Sequence, residues 1–320
     1  QANGSAWLKS GKTVILATVV IDETEIVKDN FLPLTVQYIE KTYAAGKIPG
    51  GFFKRETKPS DFETLTSRIV DRSLRPLFPD GFGHPTQITI MVFSADAESD
   101  LQVLALNAAS AALYTSDIDI NTSVSAVRTA KVDGELVLNP TLSQLKNSTL
   151  DLYLSGTKND LLMIEMRSFG SNGSSNSVAE DDLVGIFEKT QELLFYTNAK
   201  YENAFLYSKK ETMELDLKQS EINEEMLVYV KENHMSEIKD AMKQMAKSER
   251  STALRTLRKK IMGIHDGWDE LELKDVIESA KKEQVRGQIL NDNVRADGRA
   301  LTEVRPISID TNVLPNAHSS

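Results

Sequence analysis

The sequence predicts a mixed α+β domain followed by an all-α domain, and three observations predict it. Up to about residue 170, short β-branched or alternating apolar runs recur with two helical patterns between them. From about residue 180 the pattern becomes charged, with apolar residues at helical spacing. No proline occurs between Pro140 and Pro306, so none interrupts helices in that stretch.

Taken in chain order, TVILATVVI (13–21), LTVQYIE (34–40), QITIMVF (87–93), SVSAVRTAKV (123–132) and LDLYLSG (150–156) read as strands. KVDGELVL sets Asp133-Gly134 between two such runs, which favours a type I′ hairpin turn because both central residues there take positive φ. A helix is expected to open near Ser60, carry Leu65, Ile69 and Val70 on one face, and stop at Pro76. DLQVLALNAASAALY (100–114) is Ala-rich and nearly all apolar, which predicts a buried helix. FGSNGSSNSVAE (169–180), rich in Gly, Ser and Asn, reads as a flexible loop between the MIEMR strand and the first long helix. Residues 180–290 are expected to be mostly helix, with Leu183, Ile186, Phe187, Leu193 and Leu194 at helical spacing and a break at HDGWDELEL (265–273). From Val294 onward, RADGR followed by PISIDTNVLP reads as the opening of another β-containing domain.

The 320 residues suffice for about two domains, and 40% hydrophobic content supplies a core. The absence of cysteine excludes a disulfide framework and a thiolate metal site. No apolar run reaches the roughly 18 residues a membrane helix needs, and QANGSAWLKSGKT lacks a signal-peptide pattern, so a cytoplasmic protein without a membrane partner is expected. A net charge of −10 argues against polyanion binding over the whole surface. Residues 41–80 nevertheless carry eight Lys or Arg against five Asp or Glu, so either a basic patch on an acidic body or ordinary solvated helix faces would fit.

Several motifs lose on inspection. SGKT (10–13) resembles the end of a phosphate-binding loop, but Ala6 stands where that loop needs glycine and a strand follows where it needs a helix. His84, His234, His265 and His318 show no metal-ligand spacing and read as structural or solvated. SNGSS (171–175) could cradle phosphate with its backbone donors, but no cation cluster adjoins it and a linker explains it as well. Asp117 with Asp119, and Asp181 with Asp182, fit turn and helix-start preferences. GKIPGGFFKR (46–55) is the best candidate. Phe52 and Phe53 can stack on unpaired bases while Lys54 and Arg55 neutralise phosphates, a platform for single-stranded nucleic acid indifferent to sequence. Burial of one or both rings in the core is the competing reading, and composition leaves both standing.

Residues 34–82, including YAAGKIPGGFFKR and SRIVDRSLRPLFP, together with LNAASAAL (106–113) and LDLYLSGT (150–157), resemble the bacterial polynucleotide phosphorylase family. The resemblance implies an RNase PH-like, ribosomal protein S5 domain 2-like core over 1–208, an all-helical domain over 209–290, and the truncated start of a second RNase PH-like core over 291–320. It implies a fragment of a homotrimeric ring enzyme that degrades RNA processively from 3′ to 5′, phosphate attacking the terminal phosphodiester to release nucleoside diphosphates. A cytoplasmic enzyme of mRNA decay is implied, with an RNA-degradation complex as a further partner. By this likeness Phe52, Phe53, Lys54 and Arg55 grip single-stranded RNA at the channel mouth, with Lys54 where the family usually has arginine.

The same likeness implies no catalytic residue in this chain. The family's phosphate-binding loop falls on SADAESDLQVLAL (94–106), where acids replace Gly and Ser donors. Its metal-binding strand falls on β-type residues where Asp151 keeps one aspartate but Thr149 and Tyr153 replace the other aspartate and the lysine. Asp151 is then a degenerate remnant, and Mg²⁺ (or Mn²⁺) and inorganic phosphate belong to the second core. Arg68, Arg72 and Arg75 share one helix face and either line the channel or form structural salt bridges with Asp71 or Glu63. The alternative function is a non-catalytic RNA-binding or ring-scaffold protein.

Overall fold

The computed structural model describes residues 2–27, 31–50, 56–168, 178–217, 222–244, 246–314 and 316. They form two compact units, divided between Gln219 and Ser220.

The first unit holds two four-stranded sheets. Strands β1 (Gly4–Ser10), β2 (Thr13–Ile21), β3 (Leu34–Glu40) and β4 (Thr86–Ser94) form one in the order β1-β2-β4-β3. β3 runs parallel to β4, so the chain must cross over, and helix α1 (Asp61–Leu74) makes that crossing. Strands β5 (Ser125–Val132), β6 (Glu135–Leu138), β7 (Ser148–Gly156) and β8 (Leu161–Ser168) form the second, all antiparallel, in the order β6-β5-β7-β8. Asp133 and Gly134 sit at φ 52° and 86° in the β5–β6 hairpin, as the type I′ expectation requires.

Helix α2 (Leu101–Tyr114) is the buried helix the sequence predicts, and it packs on β1 and β2 of one sheet and β5 of the other. Its two buried polar residues have work to do: Asn107 Oδ1 accepts from Ala126 N at 2.9 Å and Ser110 Oγ from Val124 N at 2.8 Å, fixing the start of β5. β2 and β4 alternate, sending Ile15, Ala17, Val19, Ile88 and Ile90 fully into the core, where each isoleucine stabilises by about 1.5–3 kcal/mol. Gly4 lets β1 come close to α2, since a Cβ there would stand 2.0 Å from the Ala112 carbonyl oxygen. β1 was not among the expected strands. SGKT is simply the turn of the β1–β2 hairpin, with Ser10 opposite Thr13 and Gly11 at φ 57°.

α1 starts in a capping box of Ser60 and Glu63 and gives way to a 3-10 turn containing Pro76. Ile69, Val70 and Leu74 are buried, but Leu65, expected on the same face, is 44% exposed. α3 (Leu142–Lys146) is a short helix with its own capping box. α4 (Glu180–Phe205) buries Ile186, Thr190, Leu194 and Asn198 at four-residue steps, and Ile186 joins Leu150, Leu152 and Leu154 of β7 in a cluster. Glu202 of α4 accepts from Thr122 Oγ1 and Ser123 N, both at 3.1 Å, and pairs with Lys158. The unit runs past residue 208 because Met213 and Leu215 pack against the main core.

The second unit contains α5 (Glu224–Lys243), α6 (Lys247–Met262) and α7 (Glu270–Asp292). Met226, Val230, Ile238, Leu257, Ile261, Leu273, Val276 and Ile277 form its core. Asn223 and Asp269 cap α5 and α7 through their side chains. The expected break after α6 is where His265 stacks on Trp268 at 3.9 Å with the Tyr229 ring edge-on to both, so this histidine is structural. RADGR makes a tight turn in which Gly298 sits at φ 88° and Val294 bridges Ala300. The described residues from 301 to 314 form no strand, and Val304, Ile307 and Ile309 are more than three-quarters exposed.

Candidate nucleic-acid interface

Phe52, Phe53, Lys54 and Arg55 lie outside the described residues, as does SNGSS (171–175). The stem of the phenylalanine loop is described. Glu56 accepts from Thr42 N at 2.8 Å and Thr42 Oγ1 at 2.9 Å, and Lys41 Nζ donates to the Glu56 carbonyl at 2.6 Å. The Thr42 backbone and hydroxyl donors hold the Glu56 carboxyl below the usual carboxylate range. Gly46 at φ 68° ends the 3-10 turn Thr42–Ala45, and two residues on Ile48 is 90% exposed. Both ends of the loop are therefore tied together at its base.

Three arginines were expected on one face of α1, and the structure separates them. Arg68 and Arg72 are exposed and line a groove of about 450 Å³ with Phe62, Leu65, Arg128, Asp151, Tyr153 and Arg167. Neither has an ion-pair partner among the described residues. Arg75 is not in that groove. It forms a two-point pair with Asp71 (2.7 and 3.1 Å), donates to the carbonyls of Leu32 and Leu34 at 2.8 and 3.2 Å, and lies 5.5 Å from the Phe31 ring. A guanidinium engaged this fully fixes the chain leading into β3.

The floor of the groove is the face of the second sheet that carries Arg128, Asp151 and Tyr153. Asp151 is not a solitary carboxylate there: Arg128 Nη1 lies 3.5 Å from it, while Arg128 Nε is 2.9 Å from Asp100 and Nη2 donates to Gln102 Oε1 at 2.6 Å. Arg128 also stands over the Tyr153 ring at 5.7 Å. Burial pushes the Asp151 carboxyl up, with Arg128 opposing, and pushes the fully buried Tyr153 phenol up strongly. A divalent ion wants several converging oxygens. Here the neighbouring positions on the strand are Thr149 and a buried tyrosine, and a guanidinium already occupies the cationic role, so these residues do not fit Mg²⁺ or Mn²⁺.

The acids of SADAESD are equally committed. Asp100 caps α2, accepting from Gln102 N at 3.0 Å and Val103 N at 3.3 Å, so an internal carboxylate takes the place that an anion would occupy at that helix start. Glu98 accepts from Ser143 N and Oγ at 3.0 and 2.6 Å, tying the loop to α3. The sequence reading missed Arg128 and Arg167. The signal available was Arg128 directly after the apolar pair Ala126-Val127 in a strand, a position that needs a counter-charge once buried.

Family models match this chain in three consecutive blocks. Residues 1–119 match the 3′ exoribonuclease family, domain 1, and residues 122–188 the same family's domain 2, the seam falling between α2 and β5. Residues 225–300 match the polyribonucleotide nucleotidyltransferase RNA binding domain. A polyribonucleotide nucleotidyltransferase of Sulfurimonas denitrificans is 73% identical over the whole of this chain. The chain belongs to the polyribonucleotide nucleotidyltransferase family. A second member, from a Nitratiruptor species, is 53% identical, again over the whole chain. The chain spans about half the length of these curated relatives, 48% and 47% respectively. Among solved structures, rice Rrp46 aligns over 65% of this chain and 89% of its own at 16% identity and a TM-score of 0.47, too loose a likeness to carry an argument.

Proposed function

We propose that this chain is the RNA-gripping and ring-building part of a phosphorolytic 3′ to 5′ exoribonuclease. In that reaction a phosphate oxygen bonds to the terminal phosphorus of RNA, the bond to the preceding 3′ oxygen breaks, and a nucleoside diphosphate leaves. The observation that carries the reading is the 73% identity over the whole chain to a polyribonucleotide nucleotidyltransferase.

Within the reading, Phe52, Phe53, Lys54 and Arg55 stack on and neutralise single-stranded RNA, each stacked base contributing about 1–3 kcal/mol. Arg68 and Arg72, presented without partners among the described residues, line the RNA path, whereas Arg75 belongs to the scaffold. The divisions are a first core over 1–208, an all-helical domain over 209–290 and the start of a second core from 291. The groove over Asp151 does no chemistry, because its cation and anions already satisfy each other. Metal (Mg²⁺ or Mn²⁺) and the attacking phosphate are held by parts of the enzyme beyond these residues. The enzyme works as a homotrimer in the cytoplasm, alone or in an RNA-degradation complex. No helix among the described residues is long and apolar enough to cross a membrane.

Oligo(A) binding and ADP release from poly(A) with phosphate and Mg²⁺ test this together. The 320-residue chain should bind oligo(A) and release no ADP. Replacing Phe52 and Phe53 by alanine in the full-length trimer should weaken binding about tenfold or more with an unchanged melting temperature. Steady ADP release by the pure chain, or unaltered affinity of the double variant, would overturn it.

A further inference from the structure

Helix α6 departs from the rest of the molecule in charge. It carries six cations, Lys247, Arg250, Arg255, Arg258, Lys259 and Lys260, against one acid, Glu249, in a chain whose net charge is −10. Its neighbours α5 and α7 each hold more acids than cations. Like charges three and four residues apart on a helix repel one another, so folding alone does not favour this pattern.

Four of these cations share a face. Lys247, Arg250, Arg255 and Arg258 line one side of a groove of about 630 Å³, and Lys274 and Lys281 of α7 line the other. Met242, Leu254 and Ile277 supply apolar lining. Two of the six are answered locally, Arg258 by Glu270 at 3.0 Å and Lys281 by Glu278. Arg250 donates to the Gln244 carbonyl at 3.1 Å. Lys247, Arg255 and Lys274 are exposed and have no ion-pair partner among the described residues.

We propose that the α6–α7 groove binds the phosphodiester backbone of single-stranded RNA, with Lys247, Arg255 and Lys274 as its phosphate contacts. This rests on the RNA reading above and adds a second site within the residues 225–300 block. Among the described residues no aromatic ring lines the groove, so the contacts proposed there are to phosphate and not to bases. Contacts made only by charge on phosphates are indifferent to sequence and steeply salt-dependent.

The test is fluorescence anisotropy of labelled oligo(A) against the 320-residue chain over a salt series. Single-strand binding loses about 0.7 of a unit of log–log salt slope for each phosphate contact removed. Combining Lys247→Gln, Arg255→Gln and Lys274→Gln should flatten the slope by about 2 and weaken binding roughly 100-fold near 0.1 M salt. Lys247→Arg with Lys274→Arg should bind as the parent does. Should the triple variant lose its helical circular dichroism, Arg255→Gln alone should weaken binding about fivefold. Parental slope and affinity in folded Gln variants would overturn the groove and leave the RNA reading intact. Failure of the unaltered chain to bind oligo(A) at low salt would overturn both.

Discussion

Two arginines in this molecule, Arg128 and Arg255, each line a groove, and the fold uses them in opposite ways. In the first unit, Arg128 is nine-tenths buried and meets Asp100, Asp151, Gln102 and the Tyr153 ring, so its charge is spent inside the protein. In the second unit, Arg255 is exposed, with no ion-pair partner among the described residues and other cations beside it. Residue type alone therefore says little about binding. What separates a structural cation from one offered to a ligand is whether the fold has already supplied its anion.

The largest effect should come from breaking the first arrangement. Arg128→Met would leave two part-buried carboxylates, Asp100 and Asp151, without their cation, and urea denaturation should show a loss of about 3 kcal/mol. A loss below 1 kcal/mol would mean the cage is ornamental.

Next is Glu202, which clamps α4 to the second sheet. Burial raises its carboxyl, but the Lys158 ammonium, Ser123 N–H and Thr122 hydroxyl outweigh that, leaving it below the usual range. A lowered folded value means stability is present above the unfolded pKa of about 4.3 and is lost as pH falls through the folded value. Glu202→Gln should cost about 2 kcal/mol at neutral pH and flatten the acid side of the stability profile. An unchanged acid limb would remove Glu202 from the clamp.

The smallest effect should be at Tyr153. Its buried hydroxyl has no hydrogen-bond partner among the described residues, so Tyr153→Phe should stay within about 0.5 kcal/mol of the parent in the same denaturation. A loss above 2 kcal/mol would reveal a partner for the hydroxyl in the native state.

The fold was legible wherever a local pattern and its burial agree. Alternation in TVILATVVI, the apolar run of α2, the Asp133-Gly134 turn and the Ser60 cap all formed as the residues imply. β1 escaped because GSAWLKS is half polar and is a strand through its pairing with β2, which no local signal encodes. The four-residue steps of buried positions in α4 were only partly visible, since Thr190 and Asn198 are polar residues made buried by their tertiary neighbours. The site was less legible. Arg68, Arg72 and Arg75 look alike in sequence, and it is the Asp71 pair together with the carbonyls of Leu32 and Leu34 that singles out Arg75. The basic run of α6 was plain in KSERSTALRTLRKK, but a whole-chain charge of −10 conceals it.

The most direct test sets Arg128→Met against Arg255→Gln in the same chain, each scored for thermal stability and for oligo(A) affinity below the melting transition. The account predicts a large drop in stability with near-parental affinity for Arg128→Met. For Arg255→Gln it predicts stability within about 0.5 kcal/mol and affinity weakened about fivefold. The reverse pattern, or equal effects of both substitutions on both quantities, would contradict it.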